Sequence, residues 1–220
     1  MKRALFPILL GLLGVGVLTG LGVWQLQRLE WKENLLAEIE TRIKDAPVAL
    51  PATPSVDDSA FLSVTLTGTI DGAPIPVFGT WREAGAGYRI IAPVVTEGRR
   101  VMVDLGVAGA RDPELPSGAL TLDGNLSWPE ETEPNPDADI WTNLDLPAMA
   151  ARLGTEPVLV VAREITGVQL PFAPIPIGTE GIPNNHFGYA VQWFGLALVW
   201  AGMTAFLLRR MHGQTGNDEA

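Results

Sequence analysis

The chain has no cysteine in its 220 residues and only two histidines, His186 and His212. The first absence excludes disulfides, a thiolate nucleophile and any Cys-ligated zinc or iron–sulfur centre. The second excludes a site built from several imidazoles within one chain. Copper handling, which needs soft or imidazole ligands in clusters, has no support either. Basic residues are also in short supply: 15 Lys and Arg stand against 25 Asp and Glu, for a net charge of −10. No nucleic-acid partner is expected, because phosphate binding needs a basic surface. Catalytic signatures are missing as well. The sequence contains no P-loop, no dinucleotide glycine fingerprint opening a helix, no H-E-x-x-H and no G-x-S-x-G. A Ser-His-Asp triad would have to recruit one of the two histidines, and neither is flanked by a nucleophile elbow. No turnover chemistry is expected.

Long apolar runs, in contrast, stand at both ends. Residues 4–23 follow Met1-Lys2-Arg3 without a charge, and residues 187–208 run uncharged to Arg209-Arg210. Each is long enough to cross a bilayer as a helix. The basic flanks lie outside both runs, so the positive-inside rule puts both termini in the cytoplasm and the middle of the chain on the other side. The middle, residues 24–186, carries 11 Lys/Arg and 23 Asp/Glu. The first run has the basic start of a signal peptide. Its length, and the lack of an A-x-A site before Trp24, favour an uncleaved anchor. The expected plan is a membrane protein with transmembrane helices at 4–23 and 187–208. A juxtamembrane helix follows at 24–45, and an extracytoplasmic β-rich domain occupies 60–182.

Within that plan, Leu29, Leu36, Ile39 and Ile43 recur at helical spacing, and nothing breaks the helix before Pro47. Trp24, Arg28, Trp31 and Lys32 share one face, as in an interfacial aromatic belt with snorkelling cations. Residues 46–59 read as a linker. Short runs at 61–70, 75–81, 88–95, 99–107, 119–128 and 156–165 alternate or cluster as strands between turn residues. They suggest a small antiparallel sheet or barrel. Asp145-Leu146-Pro147, closed by Gly154, marks a short helix. Residues 129–139 form an acidic, proline-rich loop with no expected catalytic role.

In the second apolar run Gly188, Gly195 and Gly202 recur every seven residues, as do His186, Trp193 and Trp200 two positions earlier. Two positions turn a helix by about 200°, so the two sets lie on nearly opposite faces. Glycine lets helices approach closely. The glycine row is therefore expected to meet Gly16 and Gly20 of the first span, leaving the His/Trp face turned outward. His186 has two readings. It is the polar end of an anchor helix, or it is a metal ligand at a helix start, where the dipole favours the neutral imidazole that metals take. A haem would suit the second reading, with iron at His186, the macrocycle against Trp193, and propionates near Arg28, Lys32 and the helix N–H groups.

Two motifs favour the second. Trp24-Gln25-x-x-Arg28-x-x-Trp31-Lys32, with Pro183-Asn184-Asn185-His186-x-x-Tyr189-Ala190-x-x-Trp193-Phe194-x-Leu196-Ala197, resembles the Surfeit-locus (Surf-one/Shy) family of cytochrome c oxidase assembly factors. Gly85-x-Gly87-Tyr88…Pro93 and Asp145-Leu146-Pro147-Ala148-Met149-Ala150 extend the likeness over nearly the whole chain. Asp104-Leu105-Gly106-Val107 departs from it, where the family has a basic and aromatic strand end. The resemblance implies a bacterial inner-membrane protein that binds haem a transiently and assists its insertion into subunit I of an aa3-type oxidase. It makes His186 the axial ligand, Trp193 a haem contact, and Arg28 and Lys32 propionate contacts. Expected partners are subunit I, haem a synthase and membrane lipid. The rival expectation is a haem-free scaffold that stabilises an oxidase subunit.

Overall fold

The computed structural model describes residues 2–81, 84–129, 140–180 and 182–215, with side chains from residue 5 to residue 212. All of the acidic loop except Pro129 lies outside the described residues. The elements in chain order are α1 (Lys2–Lys44), β1 (Val48–Ala49), α2 (Val56–Ser59), β2 (Ser63–Ile70), β3 (Ile75–Trp81), β4 (Gly85–Thr96), β5 (Arg99–Ala108), β6 (Ala119–Ser127), α3 (Leu146–Leu153), β7 (Leu159–Thr166) and α4 (His186–Thr215). They form two compact units, Met1–Glu38 with Glu180–Ala220, and Ile39–Thr179.

The first unit is a helical hairpin. Both α1 and α4 are long and apolar enough to cross a membrane, and most of their residues are exposed. In lipid this is the expected state of an apolar helix, whose backbone groups are all satisfied within the segment. The first apolar run and the juxtamembrane segment form one helix of 43 residues.

The second unit is built on a seven-stranded sheet in the order β1-β2-β6-β7-β5-β4-β3, and the end of β2 also pairs with β4. That extra pairing closes β2, β6, β7, β5 and β4 into a small barrel, with β1 and β3 as appended edges. The sheet is mixed rather than antiparallel: β1 runs parallel to β2, and β7 parallel to β5. The physical reason lies in the connections. A two-residue turn forces antiparallel neighbours, and Glu97-Gly98 joins β4 to β5 with φ of 48° and 79°, as a type I′ hairpin requires. β7 follows a long connection that contains α3, so it is free to enter between β6 and β5 and run parallel to the latter.

Closure explains why the central strands are apolar on both sides. Val101, Val103 and Leu105 of β5 point inward with Val64, Ile90, Leu122 and Val160. Met102 points outward into a second core with Ile75, Ile91, Trp141, Met149 and Leu159. α3 covers that second core. Asp145 caps it by accepting from the Ala148 N–H at 3.0 Å, and Gly154 closes it in the left-handed conformation. At the C-terminal end of α1, the carbonyl of buried Ile43 accepts from Asn125 Nδ2 (3.1 Å) and Arg163 Nη1 (2.8 Å). Two side chains of the barrel thus satisfy a helix-end carbonyl that lacks an intrahelical partner.

Candidate functional site

The helical hairpin holds every residue singled out for cofactor binding. Its seam is built from large side chains of α4 lodged against glycines of α1. A Cβ placed on Gly11 would lie 2.3 Å from Thr204 Cγ2, one on Gly14 2.2 Å from Trp200 Nε1, and one on Gly22 2.7 Å from Phe194 Cε1. The covered positions of α4 include His186, Ala190, Trp193, Phe194, Ala197 and Thr204; those of α1 include Gly11, Leu18, Gly22, Gln25, Leu29 and Lys32. Apart from the adjacent Trp193 and Phe194, both series step by three, four or seven residues, the spacing of an antiparallel helix seam.

This reverses the expected faces. The row His186, Trp193, Trp200 packs on the first span. Gly188, Gly195 and Gly202 look outward, as do Gly16 and Gly20, with no described atom within 4 Å of a Cβ built on any of them. Glycine was expected to face glycine, but packing is densest where a small residue receives a large one. Cysteine pairs test this, because the chain has no native thiol. With a short bifunctional thiol reagent, Gly14→Cys with Trp200→Cys is expected to cross-link within one chain, and Gly16→Cys with Gly195→Cys is not. The opposite pattern would restore the glycine-on-glycine packing.

His186 is the first residue of α4, after Asn185, whose carbonyl accepts from the Tyr189 N–H at 3.2 Å. Its ring is half-buried, and Nδ1 lies 2.8 Å from Oε1 of Gln25 on α1. Lys32 Nζ donates to the carbonyl of Pro183 at 2.5 Å, tying the chain just ahead of α4 to the same helix. Arg28 is exposed and stacks its guanidinium over the Trp31 ring, 3.8 Å from the centroid, a cation–π contact of the kind that holds an arginine at an aromatic surface. Trp193 is half-buried on the seam, about two turns along α4 from His186. The structure thus brings His186, Gln25 and Lys32 together and leaves Arg28 on a flank of α1.

A family model of the SURF1 family matches residues 12–198. The chain belongs to the SURF1 family. The human protein named Surfeit locus protein 1 is 32% identical over 210 residues, covering 81% of this chain and 69% of its own. The rat protein of that name is 31% identical over 208 residues, with 80% and 67% covered. A SURF1-like protein of Monosiga brevicollis is 27% identical over 235 residues, with 93% and 89% covered. SURF1 proteins are assembly factors linked to cytochrome c oxidase, and the matched span takes in most of α1, the barrel and the first part of α4.

The residue that motif reading passed over is Gln25. It belongs to the Trp24-Gln25 motif, but its place on the seam, in step with Leu18, Gly22, Leu29 and Lys32, is what marks it. A part-buried amide set among Leu18, Gly22 and Leu29 needs a partner. A cofactor ligand also fits what is present. His186 offers one imidazole held at one nitrogen, and the other nitrogen makes no hydrogen bond among the described residues. One free imidazole nitrogen is a donor that would suit haem iron. Among the described residues no group of three or more His, Asp or Glu could hold a bare metal ion.

In the barrel, Asp104 is 1% exposed and paired with Arg89. The Gly106 N–H donates to its Oδ1 at 3.0 Å. Burial pushes the Asp104 carboxyl up to about 6, against the opposing pull of Arg89 and the Gly106 N–H. Gly106 has φ of +120°, and a Cβ there would lie 2.2 Å from the Ala173 carbonyl oxygen. Only glycine lets the returning chain pass so close. Asp104 and Gly106 are therefore committed to the domain's own packing.

Proposed function

We propose that this SURF1-family chain binds haem a and assists its insertion into subunit I of an aa3-type oxidase. In this reading it is a bacterial inner-membrane protein, with both termini cytoplasmic and the barrel periplasmic. Subunit I and haem a synthase are its protein partners, and membrane lipid surrounds its helices. The observation that supports it best is the single imidazole of His186, held at the start of a membrane-length helix with one ring nitrogen to spare. His186 would hold the haem iron, and Trp193, which follows it on the same helix, would lie against the macrocycle. Arg28 is exposed at the level of the motif, and Lys32 keeps two N–H donors beyond its bond to Pro183, so both remain available to propionates. A bound haem supplies iron for ligation and later electron transfer in the oxidase. The chain itself holds, orients and shields, without turnover chemistry.

Purified from cells that make haem a, the protein is expected to carry a haem a spectrum that is lost or shifted in His186→Ala. An unchanged spectrum in that variant removes His186 as ligand. The seam supports a second reading. Trp200 seated on Gly14 is a structural residue of the hairpin, as a haem-free scaffold would have it. Absence of haem from both proteins, with subunit I still co-purifying, selects the scaffold.

A further inference from the structure

We infer that Gln25 is the positioning residue for His186: it fixes the ring's tautomer and orientation, so that Nε2 is the nitrogen offered to iron. The inference rests on the haem-binding reading above and adds the residue that makes it work.

A neutral imidazole carries its proton on one nitrogen, and the hydrogen bond made by one nitrogen decides which lone pair the other presents. The atom facing His186 Nδ1 is an amide oxygen, Gln25 Oε1, at 2.8 Å. An oxygen only accepts, so Nδ1 carries the proton and donates it. Nε2 is then left unprotonated, with its lone pair available to a ligand. This is the arrangement of metal-binding histidines, whose second N–H is held by a carbonyl or carboxylate partner. The contact joins residues 161 positions apart, so it exists only because the two helices pack as they do. Leucine at position 25 would suit the aliphatic run of the seam, with Leu18 and Leu29 on either side. The amide is the departure from that run, and the imidazole is what it meets. Lys32, bonded to Pro183 seven positions further along α1, ties the chain ahead of α4 to the same helix.

Two measurements on the full chain in detergent micelles test this. With only two histidines, ¹⁵N-histidine labelling and two-bond proton–nitrogen spectra report each tautomer without any haem. His186 of the wild type is expected to show the proton on Nδ1, and Gln25→Leu to return the ring to the Nε2–H form common in water. With haem a, Gln25→Leu is expected to weaken binding about 10- to 100-fold, the usual effect of removing such a partner. Gln25→Glu, which keeps an acceptor, is expected to retain binding and to lower the reduction potential, since a carboxylate makes the imidazole a stronger donor. The wild-type ring protonated on Nε2, or a tautomer and affinity unchanged in Gln25→Leu, overturns the inference. Haem held by the wild type, lost in His186→Ala and unaffected in Gln25→Leu, overturns the inference alone. Haem absent from the wild type overturns the haem reading and the role of Gln25 with it.

Discussion

Replacing Arg89 by methionine is expected to leave stability nearly unchanged at pH 5 and to lower it steadily above pH 6. The reason is the buried carboxylate that Arg89 faces. Asp104 titrates near 6 in the folded protein, above its ordinary value of 3.8, because burial disfavours the charge more than Arg89 favours it. The folded state therefore holds this proton more tightly than the unfolded state. A raised folded pKa contributes stability that is full below about 4 and is lost as pH climbs through about 6. Without Arg89 the carboxyl resists ionisation further, so the loss continues to higher pH. The gap from wild type should grow by on the order of 1 kcal/mol per pH unit above 6. It should approach the roughly 3–5 kcal/mol typical of a buried charge stripped of its partner. Urea midpoints of the full chain in micelles at pH 5, 7 and 9 check this. Asp104→Asn keeps an acceptor for Gly106 and has no charge to lose, so its difference from wild type should change sharply between pH 4 and 6. A pH-independent gap between wild type and Arg89→Met would mean that the arginine acts through its aliphatic stem and not through its charge.

Gly68→Val is expected to open the barrel. Gly68 lies on β2 opposite Leu120 of β6, one residue before β2 reaches across to Val95 of β4. A Cβ on Gly68 would stand 2.3 Å from the Val95 carbonyl oxygen and 3.1 Å from its carbonyl carbon. Those are backbone atoms held in the ladder, so they cannot swing aside as a side chain would. Glycine marks such corners where one strand passes close to another. The cost should reach roughly 3 kcal/mol or more, at or above the upper end for overpacking, because closure is lost along with the local fit. Amide exchange at Thr69, Ile70, Val94 and Val95 should accelerate, while the central residues of α4 keep their protection. The neighbouring Thr67→Val, at an exposed position whose hydroxyl pairs with Thr121 at 3.0 Å, is the control and should change little. Unaltered exchange in Gly68→Val would show that the two-residue β2–β4 pairing is not what holds the barrel shut.

The elements themselves were largely legible. Asp145 and Gly154 announce α3 at both ends, and Glu97-Gly98 announces the β4–β5 hairpin. The uncharged runs announce two helices of membrane length. These are local signals, in which the residues that carry the instruction lie within a few positions of the structure they specify. Trp141 is a buried core residue whose backbone bridges to Val77, a pairing between distant segments that no local pattern encodes.

The candidate site divides along the same line. The seven-residue recurrence correctly put His186, Trp193 and Trp200 on one face and the three glycines on another. It did not say which face has a partner, because periodicity describes one helix and packing is a property of two. The sequence by itself determined the family, the two apolar helices, most strand limits and the histidine at the head of α4. Only the tertiary structure decided that β7 runs parallel to β5, that β2 closes on β4, and that Trp200 and Phe194 lodge on Gly14 and Gly22. Those outcomes turn on contacts between residues far apart in the chain, where volume and hydrogen bonding must be satisfied by both sides at once. The meeting of Gln25 with His186 is of that kind.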